Sequence, residues 1–200
     1  MFMKNYISFF LISFLSLSTH SFSTSDEKIM NENVKQLISY EEIQSKIKDF
    51  SSQLKEQKQD QDLVLICVLK GAICFANDLL KHLPPSTEID FVRCKSYDKE
   101  KRKELQVIGL DLLQVKNKNV LVADEIFDSG NTMATIISQI KQKGPKSVKS
   151  VVLLQKKTEH ITKYRPDYSL FDVDDKFVIG YGLDYDQKCR GLNGVFYIKK

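Results

Sequence analysis

The sequence predicts an α/β fold, a mostly parallel twisted sheet flanked by helices, on three observations. Apolar-dominated runs at Leu63 to Leu69, Asn119 to Glu125 and Val148 to Leu154 read as strands covered on both faces, the usual condition of a parallel sheet. These runs alternate with stretches whose apolar residues recur at helical spacing. The intervals between them also have room for crossover helices, which are right-handed in nearly all such units.

The elements follow in order. Ser39 and Glu42 form a capping box, and Ile43, Ile47, Phe50 and Leu54 recur at spacings of 4, 3 and 4, so residues 40 to 57 read as an amphipathic helix. A polar connection, Lys58 to Asp62, leads into the first sheet strand, Leu63 to Leu69. After Lys70-Gly71, the residues Ile73, Phe75, Ala76, Leu79, Leu80 and Leu83 keep helical spacing until Pro84-Pro85 stops the helix. Ile89 to Tyr97 reads as a strand, Asp98 to Glu104 as a charged solvated loop or hairpin tip, and Leu105 to Leu110 as the returning strand. Asn119 to Glu125 is a buried strand. Thr132 to Lys143 is a helix with Met133, Ile136, Ile137 and Ile140 on one face, stopped at Gly144-Pro145. Val148 to Leu154, Phe177 to Tyr181 and Val195 to Ile198 complete the strands.

Composition bounds the class. With 200 residues, 42% hydrophobic and 28% charged, the chain suits one cored domain with short appendages and excludes a disordered or collagen-like polymer. A net charge of +4 is compatible with anionic small molecules and too weak to argue for nucleic acid. Cys67, Cys74, Cys94 and Cys189 include no C-x-x-C pair, so reduced thiols are expected. The N-terminus stands apart. Lys4, the apolar run Ile7 to Leu17 and Ser21-Phe22-Ser23 make residues 1–23 resemble a secretory signal peptide, the run being too short to span a membrane. The alternative is an upstream extension with Met30 as the true start. Either way, residues 1–30 are set apart as an extension and 31–200 as the folded domain.

Several signatures are absent, including the Walker P-loop, G-x-G-x-x-G, H-E-x-x-H and G-x-S-x-G, which removes the main support for NTPase, dehydrogenase, zincin and serine hydrolase readings. What the chain does contain is Val120 to Thr132 (VLVADEIFDSGNT), a buried strand running through two acids into Asp-Ser-Gly-Asn-Thr at a helix start. Ligands of open α/β sheets lie beyond the carboxyl ends of strands. Here Ser129 and Thr132 offer hydroxyls, Gly130 lets backbone approach closely, and the free N–H groups at the helix start favour a phosphate. The adjacent acids Asp124 and Glu125 suit sugar hydroxyls or Mg²⁺ instead. The plainer alternative is that Asp128 or Ser129 only caps the helix.

This string resembles the phosphoribosyl-pyrophosphate signature of the type I phosphoribosyltransferases. Over residues 34 to 198 the chain resembles the hypoxanthine-guanine phosphoribosyltransferases, on Leu69-Lys70-Gly71, Lys95-Ser96-Tyr97, Leu154 to Thr158, Lys176 to Tyr185 and Arg190-Gly191-Leu192. The resemblance implies the type I fold with a small hood subdomain, and conversion of hypoxanthine or guanine plus phosphoribosyl pyrophosphate to IMP or GMP plus pyrophosphate, with Mg²⁺. It implies that Asp124 and Glu125 face the ribose hydroxyls, directly or through Mg²⁺, although the family commonly has Glu-Asp where this chain has Asp-Glu. It makes Asp128 the general acid/base at purine N7, and Ser129, Gly130, Asn131 and Thr132 the 5′-phosphate cradle. Lys70 and Gly71 become the pyrophosphate loop, where the family often has a cis peptide; Arg190 binds pyrophosphate, and Asp184 holds a second Mg²⁺ beside the purine. Phe177 stacks on the purine, Val178 offers backbone groups to it, and Lys156 donates to its O6. Ser96 and Tyr97 introduce a loop that closes over the reacting centre.

Taken singly, several of these residues have plainer readings: Lys70-Gly71 a strand-to-helix turn, Lys156 a solvated lysine, Phe177 a core aromatic, Asp184 a turn residue. The resemblance also implies a homodimer or homotetramer, no nucleic-acid partner, and membrane contact only through a retained N-terminal segment. A cytosolic donor favours a cytoplasmic enzyme, with export the alternative. The rival function is a phosphoribosyl-pyrophosphate sensor of the same fold that binds nucleic acid without turnover.

Overall fold

The computed structural model describes residues 34–57, 61–99 and 102–198, without the side chains of 96–99 and 102–104. The N-terminal extension expected over residues 1–30 lies outside the described residues, as does most of the polar connection after the first helix.

Ser39 caps the first helix as its sequence requires. Its hydroxyl accepts from Glu42 N–H at 3.2 Å, while the Glu42 carboxylate accepts from Ser39 N–H at 2.8 Å. The helix, α1 (Tyr40–Glu56), buries Ile43, Ile47, Phe50 and Leu54, the stripe read from their spacing. Before it, β1 (Val34–Ser39) is a strand that the sequence reading did not anticipate. It lies at one edge of a small antiparallel sheet ordered β1-β9-β8, with β8 (Val178–Ile179) and β9 (Gly194–Ile198). This second sheet answers the expectation of a hood. Strand β8 is shorter than expected because Gly180, Tyr181 and Gly182 all take positive φ (90°, 49° and 99°), which no ladder can accommodate.

The main sheet has six strands in the order β4-β3-β2-β5-β6-β7. Strand β2 (Leu63–Leu69) is parallel to both β3 (Glu88–Lys99) and β5 (Asn119–Phe127). Strands β6 (Ser147–Lys156) and β7 (Tyr168–Val173) continue the parallel set, and β4 (Arg102–Ile108) closes the other edge antiparallel to β3. Helix α2 (Ile73–Leu80) packs on β2 and β5 and buries Phe75, Ala76 and Leu79; α3 (Asn131–Lys141) packs on β4, β5 and β6 through Met133, Ile136, Ile137 and Ile140. The crossover through α2 moves from β2 towards one edge and that through α3 from β5 towards the other, so right-handedness places the two helices on opposite faces.

Two expectations change at the edges. Strands were expected to end at Tyr97 and restart at Leu105, with a charged loop or hairpin tip between. Instead β3 continues to Lys99 and β4 begins at Arg102, pairing Ser96 with Leu105 and Tyr97 with Glu104. Charge does not forbid an antiparallel ladder at a sheet edge, where side chains reach water. Strand β7 was missed because an edge strand packed on one face shows no continuous apolar run.

Strand order reverses between β2 and β5. The chain leaves β2 for β3 on one side, then enters β5 on the other, so the carboxyl ends of β2 and β5 flank the crevice where ligands of such sheets bind.

Candidate active site

The turn after β5 is built to leave backbone donors open. Gly130, with φ 82°, is the N-cap of α3, and no side chain caps the helix. Neither Asp128 nor Ser129 therefore acts as the cap; Ser129 Oγ only accepts from Asn131 N–H at 3.4 Å. A Cβ at Gly130 would stand 2.6 Å from Thr162 Oγ1 and 2.7 Å from the Phe127 ring, so only glycine fits. Gly130 lines a cleft of about 220 Å³ together with Asp124, Glu125, Asp128, Ser129 and Thr132. Such uncapped N–H groups at a helix start are a ready anion site.

The two acids differ in setting. Asp124 is only 5% exposed and its Oδ1 accepts from Glu125 N–H at 3.0 Å. Burial, and then the negative charge of Glu125, push its carboxyl well above the usual carboxylate range. Glu125 lies against the β2–α2 loop, where a Cβ on Gly71 would stand 2.0 Å from Glu125 Oε1. Its Oε2 is buried and has no hydrogen-bond partner. A buried carboxylate oxygen without a donor is costly, and a sugar hydroxyl or a hard cation would satisfy it.

The loop beyond β2 carries the expected cis peptide, between Leu69 and Lys70. Gly182 allows the closest approach to this loop, since a Cβ there would come within 1.8 Å of the Gly71 carbonyl oxygen. Lys70 Nζ donates to Gln187 Oε1 at 2.9 Å. Arg190 pairs with Asp184 at 2.8 Å and donates to the Gly182 carbonyl at 2.7 Å. Asp184 also accepts from Gln187 N–H at 2.8 Å, so it serves its turn as well as facing a cation. Behind this segment, buried Asp78 on α2 accepts from Tyr181 Oη at 2.7 Å, Gln44 Nε2 at 2.7 Å and Lys81 Nζ at 2.6 Å.

Lys156, at the end of β6, stands 3.0 Å from Asp175 and 3.4 Å from Asp128. Burial pulls its ammonium down, but the Asp175 hydrogen bond and the Asp128 and Asp175 charges outweigh that and raise it. Lys156 is thus a paired cation rather than a solvated one. It lines a second, larger hollow of about 620 Å³ with Asp175, Phe177, Tyr185 and Tyr197. Phe177 is 51% exposed, so it is not a core aromatic, and Tyr185 meets its ring edge-on at 5.8 Å. Ile198 N–H donates to the Phe177 carbonyl at 3.3 Å, which makes Val178 and Tyr197 a non-hydrogen-bonded pair. The N–H and C=O of Val178 therefore point away from β9, at the free edge of β8.

The structure thus gathers two sets. Asp124, Glu125, Asp128, Ser129, Gly130 and Thr132 share the cleft, with Asn131 opening α3 beside it, while Lys156 and Phe177 line the hollow next to Val178 in sequence, and the Asp128–Lys156 pair joins the two. Lys70, Asp184 and Arg190 form a third group through Gln187. Among the described residues, no three His, Cys, Asp or Glu side chains come together as a metal cage. Ser96 and Tyr97 lie in β3, within the strand read over Ile89 to Tyr97.

Sequence reading missed Asp175, Tyr185 and Gln187, all within or beside segments it quoted. It also missed the strand-to-strand connection after β6, where His160 Nδ1 meets the Asp128 carbonyl and Ile161 N–H donates to the Ser129 carbonyl at 3.0 Å. Among the described residues no helix is long and apolar enough to cross a membrane.

Comparison with known proteins adds a family. Residues 34–186 match the phosphoribosyl transferase domain. The hypoxanthine-guanine phosphoribosyltransferase of Rattus norvegicus is 42% identical over 150 residues, covering 69% of this chain and 68% of that protein. A hypoxanthine phosphoribosyltransferase from Staphylococcus aureus superposes with a TM-score of 0.78 at 30% identity, covering 86% of this chain and 95% of that one. The Trypanosoma cruzi hypoxanthine phosphoribosyltransferase, solved with the product IMP, gives a TM-score of 0.74 at 28% identity, covering 82% and 94%.

Proposed function

This chain belongs to the phosphoribosyltransferase family, and we propose that it is a purine salvage enzyme transferring the 5-phosphoribosyl group from phosphoribosyl pyrophosphate to hypoxanthine or guanine. The observation that carries the reading is the Asp128–Lys156 pair at 3.4 Å, which links a helix-start anion cradle to an aromatic hollow. The relatives reported above are transferases by name, and nothing in them favours a non-enzymatic sensor.

In this reading the purine sits on Phe177 with Lys156 donating to its O6. Adenine carries a donor at that position, and two facing donors repel, which excludes it. Purine N9 forms a bond to C1 of the ribose as the C1–O bond to pyrophosphate breaks, the leaving group taking the electron pair. Asp128 accepts the proton that the purine loses at N7. The 5′-phosphate rests on the N–H groups and hydroxyls of residues 129–132. Lys70 and Arg190 steady the departing pyrophosphate. Asp124 and Glu125 would hold Mg²⁺ together with the ribose hydroxyls, and Asp184 a second ion on the purine and pyrophosphate side. The donor set of hard carboxylate oxygens, with Glu125 Oε2 unpartnered, fits a cation that takes most of its ligands from substrate and water. When bound, Mg²⁺ neutralises charge on the leaving group. The β3–β4 hairpin closes over the centre to exclude water from an oxocarbenium-like transition state.

The folded domain of residues 31–200 acts in the cytoplasm, where its donor is made, as a homodimer or homotetramer. On one face of the β3–β4 edge, Phe91 (43% exposed) and Ile108 (42%) offer apolar area for such a contact. The test of function is direct. Purified protein with hypoxanthine, phosphoribosyl pyrophosphate and Mg²⁺ yields IMP by chromatography, and adenine yields no AMP; no product from hypoxanthine or guanine contradicts the reading.

A further inference from the structure

Two cations assigned above to pyrophosphate meet on one uncharged oxygen. Lys70 Nζ donates to Gln187 Oε1 at 2.9 Å, and Arg190 Nη2 approaches the same atom at 3.5 Å. Gln187 is itself fixed. Its N–H donates to Asp184 Oδ2 at 2.8 Å, its φ of 65° folds the turn, and reciprocal bonds between Tyr185 and Lys188 (3.0 and 2.9 Å) close that turn around it. Arg190 is braced from the other side by Asp184 at 2.8 Å and the Gly182 carbonyl at 2.7 Å.

We infer that Gln187 is a positioning residue for the pyrophosphate half of the reaction: its amide oxygen holds Lys70 and Arg190 side by side without neutralising either. The argument is one of charge. Two cations placed together repel, and a shared acceptor offsets the repulsion. An amide does this with no charge of its own, so Lys70 and Arg190 against Asp184 leave one net positive charge for an anion; Asp186 and Lys188, which flank Gln187, cancel each other. A carboxylate at position 187 would bind both cations more strongly and remove that excess. The tether also spares the long Lys70 side chain part of its ordering entropy when pyrophosphate arrives. The inference rests on the reading of Lys70 and Arg190 given under the proposed function.

The test uses the reverse reaction of the full chain, IMP plus pyrophosphate, with Gln187→Glu, Gln187→Ala and Lys70→Ala. Gln187 is exposed, so its variants keep the wild-type melting temperature. Gln187→Glu raises KM for pyrophosphate about tenfold and Gln187→Ala about threefold, while KM for IMP moves less than about twofold. The inference is overturned alone if Lys70→Ala raises the pyrophosphate KM but both Gln187 variants stay within about twofold of wild type. It is overturned as a positioning role if the two KM values rise together. If Lys70→Ala also leaves the pyrophosphate KM unchanged, the underlying reading of Lys70 falls with it.

Discussion

Asp128 sits where two demands meet, its carboxylate more than half exposed at the rim of the cleft and 3.4 Å from Lys156. At the residue scale the proposed chemistry needs it twice, to receive a proton from the purine and to hold the lysine that reads O6. Asp128→Asn keeps the size and removes the basicity. It should lower kcat by about 10²- to 10⁴-fold, the usual share of a general acid/base, while donor affinity by calorimetry stays near wild type. A kcat within a few-fold of wild type would remove Asp128 from the proton-transfer role. This residue, like Lys156 and Phe177, was legible because its neighbours in sequence form a recognisable string. Asp175, the nearer partner of Lys156, was not, since an acid of the Asp174-Asp175 pair before a strand has no signature until folding sets it beside Lys156.

Among the elements, the segment from Gly180 to Arg190 depends on support from behind. Asp78, 4% exposed on α2, receives Tyr181, Gln44 and Lys81 and so ties α1, α2 and this turn together. Burial pushes the Asp78 carboxyl up, but the hydrogen bonds from Lys81, Tyr181 and Gln44 and the Lys81 charge outweigh it and hold it below the ordinary carboxylate value. A carboxyl whose folded value is depressed adds stability above its unfolded value, and that contribution disappears as pH falls through the folded one. Asp78→Asn should therefore lower the melting temperature at pH 7 by about 4–8 °C, following the ~2 kcal/mol typical of a buried charged hydrogen bond. The gap to wild type should narrow as pH is taken below about 3.8, the ordinary aspartate value. A gap that widens towards acid would mean that Asp78 is not held ionised by these partners. None of this network was visible in the sequence, where Asp78 is one acid on a helix; only the packing of three separate elements brings its donors together. Helix α1, by contrast, was legible to within a residue, because a capping box and an apolar stripe are local signals.

At the scale of the whole molecule, the strand order explains the site's location. Buried strands with continuous apolar runs, β2, β5 and β6, were read correctly because parallel sheets covered on both faces leave that mark. The edge and hood strands β1 and β7 were missed, since half-covered edges carry polar residues that resemble loops. Reversal at β2 and β5 then brings the cis Leu69–Lys70 loop beside the Asp124–Thr132 string, two segments whose proximity no local pattern encodes. The central claim is that the turn after β5 receives a sugar phosphate while the hollow beside Lys156 receives its purine. A crystal structure of the protein with IMP tests this most directly. The account predicts the 5′-phosphate on the N–H groups of residues 129–132 and the base against Phe177 with Lys156 at O6; phosphate bound away from that turn, or a base that avoids Phe177, would contradict it.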